Sequence, residues 1–281
     1  QGTRDSSMAH RTKTRSQPNR TSLSPVEALG HRGAIYNELA HKMCRISHLH
    51  RFGKAEQPCW IFHLSDSEHS TAAVLELVAS DMAEVDRVIA QRLDSGVPLV
   101  GEVARYIISA GGKRLRPVLL LLTCGALGYT GKQRHNLAAV VEFIHTATLL
   151  HDDVVDESTL RRGRPTANES FGNPASVLVG DFLYSRAFQM MVDAESMRVM
   201  QTLADATNVI AEGEVLQLLN MHDPDVTEAS YLLVIRSKTA KLFEAAAELG
   251  ALVAGANDAQ IAAAGEYGRS LGTAFQLIDD V

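Results

Sequence analysis

Apolar residues from Thr71 to Leu93 recur at helical spacing, with Val74, Leu75, Val78, Met82, Val85, Val88, Ile89 and Leu93 on one stripe. The same period predicts helices over His135–Asp156, Ala175–Met191, Met197–Leu219 and Glu228–Ala254. Asn257 and Asp258 are capping residues in front of AQIAAAGEYGRSLGTAFQLIDD, so a further helix starts there. The longest apolar run, PVLLLLTCGAL from Pro117 to Leu127, falls short of the roughly 18 residues that a membrane span needs and reads as a buried helix. Glycine and proline gather between the periodic stretches, as in Gly172–Pro174 and His222–Pro224. There is no alternating strand pattern and no repeat of fixed period. The expectation is an all-α fold, a bundle of long helices around a central cleft.

Charge divides the chain. Residues 1–60 hold ten of the 27 Lys and Arg but only four of the 33 Asp and Glu. This basic section is rich in His, Ser and Thr and has no sustained hydrophobic period, so residues 1–70 read as a disordered N-terminal extension and 71–281 as the folded domain. An organellar leader and a nucleic-acid arm are the functional alternatives for that extension, although its basic residues are scattered. Cys44, Cys59 and Cys124 are odd in number and lack metal-type spacing, which suits a reducing compartment.

The chemistry concentrates in HTATLLHDDVVDESTLRRGRPT, from His145 to Thr166. Asp152 and Asp156 stand four apart and share a helical face, a spacing at which two carboxylates bind Mg²⁺ while leaving room for water and phosphate oxygens. Asp153 lies roughly 100° round the helix and need not share that role. His145 sits two turns before Asp152 on the same face, where an ordinary core histidine is the competing reading. Arg161 and Arg162 follow in a segment broken by Gly163 and Pro165, and arginine matches phosphate through its planar fork. Upstream, GGKRLRP places Lys113 and Arg116 beside a glycine pair, with Arg114 equally readable as a surface residue. Lys238 and Thr239 in SKTAKLF, and Gln276, Asp279 and Asp280 in FQLIDD, complete the set. Basic groups and two acidic clusters in one bundle imply a ligand with two phosphates and a divalent metal.

Taken in order, GGKRLRP, HTATLLHDDVVD with RRGRPT, GEVLQL, SKTAKLF and FQLIDD resemble the trans-polyprenyl diphosphate synthase family, over about Leu75 to Val281. The resemblance implies condensation of isopentenyl diphosphate with an allylic diphosphate, such as farnesyl diphosphate, with loss of pyrophosphate and with Mg²⁺ as cofactor. It implies that Lys113, Arg116, His145 and Arg162 take the isopentenyl diphosphate. Asp152 and Asp156 would hold metal for the allylic diphosphate, Arg161 would touch that diphosphate, and Asp279 would anchor further metal. Lys238, Thr239 and Gln276 would flank the allylic diphosphate and the forming cation. A homodimer, no nucleic-acid partner, transient membrane contact and a product destined for quinone side chains follow from the same resemblance. The expected location is cytoplasmic, with a mitochondrial address as the alternative.

Ala147 and Thr148, five and four positions before Asp152, are not aromatic, so a growing tail can pass between helices and a long, octaprenyl-type product is expected. Met190 and Met191 are candidates for a deeper floor, or ordinary core. The chain stops at Val281, directly after Asp279 and Asp280, short of the family's last acidic residue and C-terminal helices, so the expectation is a truncated domain. Other readings stay open: a shorter-chain synthase, a terpene cyclase using the same DDVVD, a phosphohydrolase reading His151–Asp152 as its dyad, and a non-catalytic subunit of a heteromeric synthase.

Overall fold

The computed structural model describes residues 71–221 and 224–281. The proposed extension over residues 1–70 and the His222–Asp223 part of one expected break lie outside them. In order, the elements are α1 (Thr71–Glu76), α2 (Ala79–Arg92), α3 (Pro98–Ser109), α4 (Leu115–Ala126), α5 (Gln133–Val155), β1 (Leu160–Arg161), β2 (Arg164–Pro165), α6 (Ala167–Phe171), α7 (Asn173–Val192), α8 (Met197–Asn220), α9 (Glu228–Ile235), a π turn (Arg236–Ala240), α10 (Lys241–Val253) and α11 (Asp258–Asp279). Among the described residues the fold is all-α apart from the antiparallel pair β1–β2, a hairpin with strands of two residues, too short to show an alternating pattern in the sequence.

Helix α5 is the axis. From Leu137 to Leu150 its sequence is apolar on most sides, and such a helix is stable only inside a bundle. Leu137, Val140, Val141, Phe143, Ile144, Ala147 and Leu150 are all completely buried against α2, α4, α7 and α10. Each of these side chains larger than alanine contributes about 1.5–3 kcal/mol by leaving water, so α5 anchors the fold. Its C-terminal turn, carrying the acidic residues, emerges from this core at one end of the bundle. That is how an apolar helix can hold charged groups rigidly at a cleft.

Side-chain caps account for three of the helix starts. The Ser196 side chain accepts from the Val199 amide at the start of α8, and Thr227 accepts from Ser230 at the start of α9. Asn257 and Gln260 form a full capping box for α11. The stripe expected over Thr71–Leu93 breaks at Leu77 and Val78, and Val74 and Leu75 face solvent while Val78, Val85, Ile89 and Leu93 enter the core. The segment expected as one helix from Glu228 to Ala254 contains the π turn, which re-aims Lys238 and Thr239 toward α8 and α11. Among the described residues no helix is long and apolar enough to cross a membrane.

Candidate active site

Asp152 and Asp156 end α5 one turn apart, at the mouth of a cavity of about 850 Å³. The cavity runs between α5, α7 and α8 past Thr148, Tyr184, Phe188, Thr207, Ile210 and Ala211. Its mouth is acidic and its wall mostly apolar. Lys238, carried in by the π turn, sets its Nζ 3.3 Å from Asp152 Oδ2 and 2.6 Å from Glu214 Oε2 on α8. Burial pushes the Asp152 carboxyl up, against the pull of Lys238. Burial likewise pushes Glu214 up to about 7, with the Asp152 charge adding to it and Lys238 opposing. Two half-buried carboxylates sharing one lysine are short of positive charge.

That shortage is the fit test for a divalent cation. Among the described residues no three acidic, histidine or cysteine side chains converge tightly enough to hold a metal unaided. Asp152 and Asp156 nevertheless offer hard oxygen donors on one face of an open cavity, beside an excess of negative charge. This donor set suits Mg²⁺, which keeps several waters or phosphate oxygens of its own. Asp279 stands apart from that pair, at the end of α11, with Lys113 Nζ 3.6 Å from its Oδ1.

Basic residues gather on the neighbouring side. Arg116 stacks over the Phe243 ring at 4.5 Å and sets its Nη1 3.3 Å from His145 Nε2. Burial pulls Arg116 down to about 10. Burial first, then the charges of Arg116, Arg162 and Arg161, hold His145 well below the ordinary histidine range, so its ring is neutral and can accept from Arg116. Lys113 lies over the Phe275 ring at 5.0 Å and keeps most of its side chain in solvent. Arg162 is in the left-handed region, with φ of 52°, and its guanidinium covers Gly112, where an added Cβ would come within 2.8 Å of Nη1. The glycine pair of GGKRLRP therefore lets the β-hairpin lie against the basic loop.

One expected ligand of phosphate, Arg161, and the neighbouring cation Arg114 have structural partners. Arg161 gives Nε and Nη2 to Asp153, at 2.9 and 2.7 Å from Oδ1, and Asp153 is completely buried. Asp153 indeed faces away from Asp152 and Asp156, and it anchors the hairpin. Arg114, open between two readings in the sequence, pairs with Asp86 and lies 3.7 Å from Glu142. On the far side, Thr239 Oγ1 donates to Gln276 Oε1 at 2.9 Å, and Gln276 Nε2 donates to Asp280 at 2.8 Å. Tyr231 donates to the same Asp280 at 2.5 Å.

The structure corrects the reading of the tail passage. Thr148 lines the cavity, whereas Ala147 is completely buried in the adjacent core. Met190 and Met191 are core residues and do not line the cavity; Tyr184 and Phe188, on the same helix, do. The sequence reading also left Glu214, Glu142 and Tyr231 without roles. GEVLQL was the available signal for the first, but nothing in spacing pairs it with a lysine 24 positions later.

The model of the polyprenyl synthetase family matches residues 97–281. Octaprenyl diphosphate synthase of Escherichia coli is 57% identical over 206 residues, covering 73% of this chain and 64% of that protein. Its Haemophilus influenzae counterpart is 55% identical over 208 residues, covering 74% and 63%. The chain thus spans a little under two thirds of the length of these relatives. A crystal structure of a decaprenyl diphosphate synthase from Rhodobacter capsulatus superposes with a TM-score of 0.73 at 54% identity, covering 74% of this chain and 65% of that one. A polyprenyl synthase from Caulobacter crescentus, complexed with calcium and isoprenyl diphosphate, gives 0.73 at 50% identity, covering 75% and 64%. With the family model matched over most of the folded part, the chain belongs to the polyprenyl synthetase family.

Proposed function

We propose that this chain carries the condensing site of a long-chain trans-prenyltransferase, which joins isopentenyl diphosphate to an allylic diphosphate and releases pyrophosphate. The observation that carries the reading is the cavity: an acidic mouth at Asp152 and Asp156 opens onto an apolar passage of about 850 Å³, with the basic side chains of Lys113, Arg116 and Arg162 gathered on the neighbouring side. Two diphosphates need two differently built cradles, and an oligoprenyl tail needs a dry channel. A terpene cyclase has no use for the second cradle at Lys113, Arg116 and His145.

In this reading Asp152 and Asp156 hold Mg²⁺, with Asp279 supplying a further ligand from α11. The metal, when bound, neutralises the allylic diphosphate and the pyrophosphate charge that develops as the C–O bond breaks. Lys238 adds a fixed positive charge on the same leaving group. Lys113, Arg116 and Arg162 orient the isopentenyl diphosphate, with neutral His145 holding the Arg116 fork in place. Arg161 frames this region from its anchorage on Asp153. Gln276, held by Thr239 and Asp280, presents an amide dipole to the forming cation. The apolar wall of Tyr184, Phe188 and Ile210 excludes water from that cation.

The names of the relatives favour an octaprenyl or longer product over a farnesyl-length one, and farnesyl diphosphate is the proposed primer. The experiment is incubation of the 281-residue chain with labelled isopentenyl diphosphate, farnesyl diphosphate and Mg²⁺, with products resolved by length. Long polyprenyl product, absent with EDTA and in Asp152→Ala, is the expected result. A folded chain that makes no product in any of these conditions sinks the reading for this chain.

A further inference from the structure

Lys238 is held at both ends by consecutive residues of α8. Its backbone nitrogen lies so close to Gly213 that a Cβ there would come within 2.8 Å of it, and its Nζ lies 2.6 Å from Glu214 Oε2. The second carboxylate near its ammonium, Asp152 at 3.3 Å, has another claim on it in the proposed function, because Asp152 is also a metal ligand. Glu214 has none. It is half-buried, it lines the cavity, and its carboxyl is crowded against that of Asp152 as well as the Lys238 ammonium. A carboxylate placed beside a second one at a cleft costs stability, so its presence there asks for a role.

From this geometry, and resting on the function proposed above, we infer that Glu214 is a positioning residue that holds the Lys238 ammonium over the mouth of the cavity, aimed at the pyrophosphate leaving group. A lysine on a four-carbon stem is otherwise mobile, and fixing it in advance removes the entropy of finding the phosphate. The alternative is that Glu214 is an unhelpful negative charge near an anion site. The two readings predict opposite signs when that charge is removed, since repulsion alone makes Glu214→Gln bind an anion more tightly.

Inorganic pyrophosphate with Mg²⁺ is the probe, titrated calorimetrically into the 281-residue chain and into Glu214→Gln, Lys238→Ala and the double variant. Glutamine keeps the length and an acceptor oxygen, so its fold should survive, and circular dichroism checks that it does. Losing the charge assistance of one hydrogen bond corresponds to roughly a three- to tenfold weaker affinity for Glu214→Gln. That effect should vanish in the Lys238→Ala background, because there is no ammonium left to place. Equal or tighter binding by Glu214→Gln, or the same loss with and without Lys238, overturns the inference while leaving the proposed function standing. A wild-type chain that does not bind Mg²⁺–pyrophosphate overturns both.

Discussion

Arg161 grips Asp153 through two of its nitrogens, and Asp153 is the one acid of the DDVVD run that is completely buried. The pair ties the hairpin that carries Arg162 to the end of α5, which carries Asp152 and Asp156. Asp153→Ala should leave Arg161 without a counter-charge against the core. Breaking such a pair costs at most about 3 kcal/mol here, at the low end of its range because Arg161 keeps part of its surface in solvent. Urea denaturation measures this, and wild-type stability in Asp153→Ala would show that the hairpin is held by other means. Asp152→Ala removes a residue that faces the cavity mouth and should cost far less stability, so the two neighbouring aspartates separate into a structural and a functional group.

His145 gives a pH dependence with a definite sign. Burial and the surrounding arginines hold its folded-state value well below 6.5, while the unfolded chain titrates near 6.5. Below that pH the unfolded state takes up a proton that the folded state refuses, so stability falls as pH drops through 6.5. Above about pH 7 the group contributes no slope. The loss amounts to about 1.4 kcal/mol per pH unit from this one site. His145→Gln should flatten the stability profile between about pH 6.5 and 5 relative to wild type, and parallel profiles for the two proteins would mean that His145 takes up its proton as readily in the folded state as in the unfolded one.

Thr148 and Ala147 make a matched test of the tail passage. Thr148→Phe puts a ring into the cavity one turn below Asp152, so the product distribution should shift to shorter prenyl chains with the fold intact. Ala147→Phe forces a ring into close-packed core and should cost about 1–3 kcal/mol of stability. Chain-length analysis and thermal melting of both variants check this. Shortening by Ala147→Phe with no loss of stability, and none by Thr148→Phe, would place the passage on the other side of α5.

Much of this was legible in the residues, for identifiable reasons. A helix such as α5 announces itself because its apolar positions must meet a core at the helical period, and Asn257 marks the start of α11 because its side chain satisfies a free backbone amide. Helix α3 was not predicted: its start is marked only by Pro98, and its short apolar stretch carries no side-chain cap. The π turn was invisible because inserting one residue into a helical turn leaves no compositional trace, although it aims Lys238 and Thr239. The residues that carry a motif stand out in the sequence, but their partners in the packed structure do not. Glu214 meets Lys238, and Arg114 meets Glu142, only through the packing of separate helices. Ala147 and Thr148 differ by one position in sequence and by 100° in direction, so only the packed bundle decides which of them faces the cavity.

Gly213 offers the sharpest test of how packing aims the site. In an exposed helix interior, Gly→Ala adds about 0.5–1 kcal/mol of stability by removing backbone freedom from the unfolded chain. Here a Cβ would meet the Lys238 backbone nitrogen and the Ser237 Cβ, both at 2.8 Å, and neither atom is the end of a flexible side chain. The π turn must therefore move away from α8, so Gly213→Ala should lose stability instead of gaining it. The shift also carries the Lys238 ammonium away from Asp152 and Glu214, so Mg²⁺–pyrophosphate affinity should fall together with the melting temperature. Thermal melting and the same calorimetric titration measure the two effects. A more stable Gly213→Ala chain with unchanged pyrophosphate binding would mean that α8 and the π turn have slack at this contact, and that the position of Lys238 is set by its side-chain partners alone.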